Sequence, residues 1–166
     1  MFSKSRIFFT VIYLIFMSVS STSAASTSRI GLPQQYSVGA FIGGPIGASA
    51  TYILSKEHSV DAAVAMEMSG DENIHAWADY LWRYPTAFTL MDYNIGWYWG
   101  AGANFRSENS ANVEYAYLMG PRAVSGLIHE FNSISLEMFG EAALNQHILG
   151  ASKSEFDIAV GARYYF

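Results

Sequence analysis

The chain has 166 residues, enough for one domain and short for two, with a net charge of −5 and no cysteine. The missing cysteine excludes disulfides, thiolate metal sites and cysteine nucleophiles. The acidic balance, with no basic stripe, argues against nucleic acid as a partner.

Lys4 and Arg6 open the chain, and Ile7 to Val19 is an apolar run diluted only by Thr10 and Ser18. Ser20 to Ala25 is small and polar, with Thr22-Ser-Ala24 or Ser23-Ala-Ala25 as cleavage sequences. That order is the secretory signal pattern, so residues 1–25 are expected to be a cleavable signal peptide and residues 26–166 the folded domain. Removing the signal takes away two basic residues and no acid, so the net charge falls from −5 to −7. After the first twenty residues no run is long enough for a spanning helix.

Ala25 to Gln35 reads as a polar lead-in. From Tyr36 the apolar residues recur with a period of two, which is the strand signal. Tyr36, Val38, Ala40 and Ile42 alternate with Ser37, Gly39, Phe41 and Gly43, and Gly44-Pro45 signals a turn. Ile46, Ala48, Ala50, Tyr52 and Leu54 form a second face, and Ser55 to His58 a reversal. In the third segment Val60, Ala62, Val64, Met66 and Met68 oppose Asp61, Ala63, Ala65 and Glu67. Alanine, methionine and glutamate favour helices, but the strict alternation argues for a strand. Ser69 to Asn73 is a loop.

The fourth segment, Ile74 to Tyr84, is expected to end at Pro85. The fifth runs from Met91 to Asn104, with Arg106 to Asn112 as a polar loop. The sixth, about Val113 to His129, contains Pro121, which predicts a bulge or a break. The seventh spans Ile134 to Glu141, and Leu144 to Ser154 reads as the longest connection.

The eighth is the most regular. Phe156, Ile158, Val160, Ala162, Tyr164 and Phe166 share one face, and Asp157, Ala159, Gly161, Arg163 and Tyr165 the other. A terminal aromatic ladder is a sticky edge in water but suits a closed membrane barrel with aromatic rims. Eight segments, an even number joined by short turns, predict an all-β fold: an eight-stranded antiparallel up-and-down transmembrane β-barrel.

Alternation alone does not say which face is outside, since a soluble lipocalin-like barrel would turn its apolar face inward. The signal segment, the Tyr and Trp near strand ends, and the glycines on the polar-parity face favour the inverted arrangement. An Arg or Lys on the lipid face costs about 2–4 kcal/mol at mid-membrane. Arg83, Arg122 and Arg163 all fall on the polar parity, with Asp61, Glu67, Asp79, Asp92, Glu114, Glu137, Glu141 and Asp157. Charges enclosed together must pair. The expected feature is therefore a lumen network in which three arginines bridge carboxylates, with Trp77, Tyr98, Phe139 and Tyr165 filling the interior.

The stretches Val38-Gly-Ala-Phe-Ile-Gly-Gly-Pro-Ile-Gly47, His58-Ser-Val-Asp-Ala-Ala-Val64, His75-Ala-Trp-Ala-Asp-Tyr-Leu-Trp82 and Asp157-Ile-Ala-Val-Gly-Ala-Arg-Tyr-Tyr-Phe166 carry a resemblance. From Tyr36 to Phe166 the chain resembles a family of small, largely uncharacterised bacterial outer-membrane β-barrel proteins with OmpA/OmpX-like architecture. The family's Gly-x-Arg-x-Pro-x-Gly-Leu run is present as Gly120-Pro-Arg-Ala-Val-Ser-Gly-Leu127 with its proline displaced. The resemblance implies a fold and an outer-membrane location, and it supplies no catalytic residues.

His129 and Ser133 could be a hydrolase pair, because a nucleophile needs its base within hydrogen-bond reach. On one strand they would stand about 13 Å apart, so only an intervening turn would join them. A rim histidine beside a turn serine is the plainer account. His75 and Asp79 share a face and read as a lumen hydrogen bond rather than a proton relay or weak metal site. Asp71, Glu72 and Asn73 lack the ligand count of a calcium loop. No catalytic, cofactor or metal site is therefore expected.

The reading is a monomeric, porin-like barrel in shape, with a packed polar lumen and a structural or interaction role. Its expected partners are outer-membrane lipid and the barrel-insertion machinery, the latter through the C-terminal aromatic strand. The alternatives are a lipid-modifying barrel hydrolase, a narrow pore and a soluble binding barrel.

Overall fold

Eight strands follow one another in chain order and close into a barrel. They are β1 (Tyr36–Gly43), β2 (Ile46–Ile53), β3 (His58–Met66), β4 (Ile74–Leu90), β5 (Tyr93–Ser110), β6 (Val113–Phe131), β7 (Leu136–His147) and β8 (Lys153–Tyr165). This computed structural model describes residues 35–67, 73–90, 93–110, 113–131, 133–150 and 152–166, without the side chains of 108–110 and 113–116. The expected signal segment, Asp71, Glu72, Asp92 and the side chain of Glu114 lie outside that set.

Every neighbouring pair is antiparallel, and β1 pairs with β8 from Ser37 opposite Tyr165 to Gly43 opposite Ala159. The closure leaves no free sheet edge, as an up-and-down barrel requires. Tyr36 and Tyr165 lie at the same end, where the Phe166 amide donates to the Tyr36 carbonyl at 3.0 Å. That end is called proximal below, and the opposite end distal.

The period-two pattern decides which side chains are enclosed. On β3, Ser59, Asp61, Ala63 and Ala65 are buried while Val60 and Val64 are exposed. On β8, Arg163 and Tyr165 are buried while Phe156, Ile158, Val160 and Tyr164 are exposed. The exposed face is thus the greasy one. At the proximal end the outer wall carries aromatic pairs: Tyr36 with Tyr52, Tyr80 with Trp82, Trp82 stacked on Trp99 at 4.3 Å, and Tyr84 stacked on Trp97.

The interior is not uniformly polar. Phe41, Trp77, Leu81, Tyr98, Val124, Ile128 and Phe139 belong to one buried apolar cluster. These rings need close neighbours without side chains. A Cβ on Gly126 would lie 2.5 Å from the Tyr98 ring, and one on Gly161 would lie 2.6 Å from the Phe139 ring. Glycine is what allows the wall to approach the plug.

Three boundary expectations need correction, and the one at Pro121 is met by the first of its two alternatives. Pro85 does not end β4, which runs on to Leu90. The ladder to β5 lapses after Tyr84 and resumes at Phe88, so the proline is absorbed in a bulge. Pro121 does not break β6, which is continuous from Val113 to Phe131. It pairs with Ala103 on one side, and on the other the register to β7 shifts by one residue, from Arg122 opposite Asn145 to Met119 opposite Leu149, so the expected irregularity is a bulge and not a break. A residue without an N–H is tolerated at such a bulge. Arg106 is not in a loop, because β5 extends to Ser110. The segment Leu144 to Ser154 is mostly strand, since β7 reaches His147 and β8 starts at Lys153.

Candidate functional site

The enclosed face of the barrel gathers ionised groups from six of the eight strands, β3 to β8. In the proximal half, β7 supplies Glu137, which is fully buried. Arg83 of β4 and Tyr165 of β8 both bond its Oε2, the tyrosine at 2.6 Å. Arg83 also donates to Tyr165 at 3.2 Å and reaches Glu130 at 3.5 Å. Arg163 of β8 stands 3.5 Å from the other Glu137 oxygen, so one carboxylate lies between two guanidinium groups.

Arg163 carries the contacts inward. It meets Asp61 of β3 at 3.1 Å and donates to Ser49 at 3.1 Å, with its guanidinium 3.9 Å from the centre of the Phe139 ring. Thr51 donates to Asp61 at 2.6 Å. Across the lumen Arg122 of β6 pairs with Asp79 at 2.9 Å and Glu141 at 3.0 Å, and lies over the Trp77 ring. Tyr98 donates to Glu141 at 2.8 Å, and Asn145 donates to Asp157 at 2.6 Å. Asp157 is 4.0 Å from Arg122. Charges taken out of water in this way need partners on most of their oxygens and N–H groups, and these have them.

At the distal end Arg106 of β5 spans two carboxylates, Glu67 and Glu155, each at 2.6 Å. Glu155 also meets Lys153 at 2.7 Å and His147 at 3.2 Å, and Asn73 donates to Glu67 at 3.1 Å. A recess of about 260 Å³ opens here, bounded by Gly44, Pro45, Glu67, His75, Arg106 and Glu155. Below it, between Trp77, Arg106, Arg122 and His147, is a void of about 10 Å³, the room of a single water.

The nine residues singled out from sequence are therefore placed as follows. Arg83, Arg163, Asp61 and Glu137 form the proximal group, Arg122, Asp79, Glu141 and Asp157 the middle one, and Glu67 stands apart at the distal mouth. Among the solved structures, the N-terminal β-barrel domain of Pseudomonas aeruginosa OprF matches this chain with a TM-score of 0.64. The match covers 79% of this chain and 96% of that one at 16% identity. The fold is an OmpA-like eight-stranded barrel. At that identity the likeness with OprF is one of fold alone. No protein-family model and no curated protein matches the sequence.

Sequence reasoning missed Arg106, Glu130 and Glu155. Each continues the inward parity of its strand: Arg106 follows Gly102 and Asn104, Glu130 follows Arg122 and Gly126, and Glu155 precedes Asp157. Counting in twos past the assumed strand ends would have found all three.

The expected His75–Asp79 bond is absent. Asp79 turns to Arg122, and His75 lies 4.0 Å from Glu67 with no hydrogen bond to its Nε2. His129 is on the outer face, where its Nδ1 bonds the Asn94 carbonyl at 3.0 Å. It packs against the Tyr93 and Phe131 rings, while Ser133 is exposed in the β6–β7 turn.

Proposed function

We propose that this chain is a small monomeric outer-membrane β-barrel with a lumen filled by side chains and a structural or interaction role. Membrane lipid would meet its outer wall, and the barrel-insertion machinery would take up its aromatic β8. The observation that carries this reading is the inverted polarity: four ion-paired arginines lie within, and the exposed wall is apolar. A soluble barrel of this composition would turn those faces the other way.

The wall's dimensions support it. On β5, Trp97 and Phe105 mark two aromatic levels, the second completed by Tyr117. Eight residues of strand are about 26 Å long, or roughly 20 Å along the axis at the usual tilt. The apolar band of outer-membrane barrels is about 25 Å tall. The filled interior supports a closed state, because Arg122, Trp77, Phe139 and Arg163 lie where a channel would run.

Alkaline carbonate extraction of cell membranes, with gel mobility before and after boiling, tests the reading. The protein should stay with the outer-membrane fraction and change mobility on boiling. Release by carbonate would overturn it in favour of a soluble barrel. Planar-bilayer recording of the purified barrel should show no steady conductance, and steady single-channel steps would overturn the closed lumen.

A further inference from the structure

The β4–β5 hairpin does not simply prolong the barrel wall. Phe88 pairs with Ile95, and both belong to the face of the ribbon that also carries Tyr93 and Trp97, the outer one. Phe88, Leu90 and Ile95 border the same cavity as Leu127 of β6, Met138 of β7 and Ala40 of β1. A cavity shared by outer-face residues of the ribbon and outer-wall residues as distant as β1 is what a ribbon leaning outward over the wall would give. The bulge after Tyr84, at Pro85, is where it leaves the wall. His129 pins it there, through the Asn94 carbonyl and the Tyr93 ring.

The space beneath has a volume of about 610 Å³, well within the range of ligand sites. Two rows of outward residues make its floor. One is His129, Met138, Ala162 and Ala40; the next is Leu127, Gly140, Val160 and Ile42. Gly140 and Ala162 are diagonal neighbours and Ala162 pairs directly with Ala40, so these small residues adjoin one another, flanked by Leu127, Met138 and Val160. Of the lining side chains only His129 is polar, and it lies at the proximal edge.

We propose that this groove holds one acyl chain of a membrane lipid, with the lipid's polar end beside His129. The inference rests on the membrane reading above, under which the outer wall is bathed in hydrocarbon. Left empty, a groove of this size would forfeit the packing of all its apolar walls. A second polypeptide strand would find no unpaired edge here, because the β6–β7–β8–β1 ladder is complete.

Gly140 gives a direct test. A Cβ there meets only the Val160 side chain, at 3.7 Å, so a larger residue projects into the groove without disturbing the lumen. Wild type, Gly140→Leu and a control, Ala123→Leu on the exposed wall outside the groove, would be inserted into dimyristoylphosphatidylcholine vesicles. Each would then be extracted in mild detergent and weighed by native mass spectrometry. Wild type and the control should keep one lipid, and Gly140→Leu roughly fourfold less or lower, as losing contact with a methylene or two would give. If Gly140→Leu does not insert, Leu90→Ser on the hairpin reads the same loss from the other side. Equal retention by all variants would overturn the groove while leaving the membrane reading intact. Failure of wild type to insert would instead overturn the membrane reading. A wild-type dimer that Gly140→Leu dissolves would assign the groove to a second copy and overturn the lipid.

Discussion

The proximal and distal ends of the lumen use the same pairing, an arginine with carboxylates, at different burial. At the proximal end Glu137 is 0% exposed and serves two arginines and a tyrosine. At the distal end Arg106 also serves two carboxylates, but the Glu67 side chain keeps 32% of its surface and faces a recess. The same hydrogen bonds therefore carry different weight. Removing one member of a sealed group strands charges with no water to take its place, whereas water and salt can replace a partner at the mouth.

The largest effect is expected where burial is complete. Glu137→Ala leaves Arg83 and Arg163 short of their shared carboxylate, and should cost about 3–5 kcal/mol in urea unfolding from detergent micelles. Gly126→Ala sharpens the comparison from the apolar side. Its Cβ would overlap the Tyr98 ring and tilt the hydroxyl from Glu141, for a loss of about 1–3 kcal/mol in the same assay. Arg106→Ala should cost less than Glu137→Ala, because water reaches its Glu67 partner, and its cost should shrink further as salt is raised. Equal losses for Glu137→Ala and Arg106→Ala, or a salt-sensitive Glu137→Ala, would break the comparison.

Much of the barrel was legible because period two is a strong signal when one face is apolar. β8 could be read residue by residue from Phe156 to Phe166. The elements that misled did so for local reasons. Pro85 and Pro121 each lack a ladder donor, and sequence alone does not reveal whether a bulge will absorb the loss or the strand will end. Arg106 begins a polar run through Asn112 that looks like a loop, although its parity was correct for the lumen. The outward lean of the β4–β5 hairpin was not legible at all, because it shows only in a cavity that Phe88 and Leu90 share with strands far away in sequence.

The central claim is that the exposed wall meets hydrocarbon while the ionised face is enclosed. Two single-tryptophan variants would test it most directly, one keeping Trp99 on the outer wall and the other keeping Trp77 beneath Arg122. In vesicles of brominated lipid, Trp99 fluorescence should be strongly quenched and Trp77 fluorescence should hardly change. Quenching of Trp77 with Trp99 spared, or no quenching of either, would contradict the account.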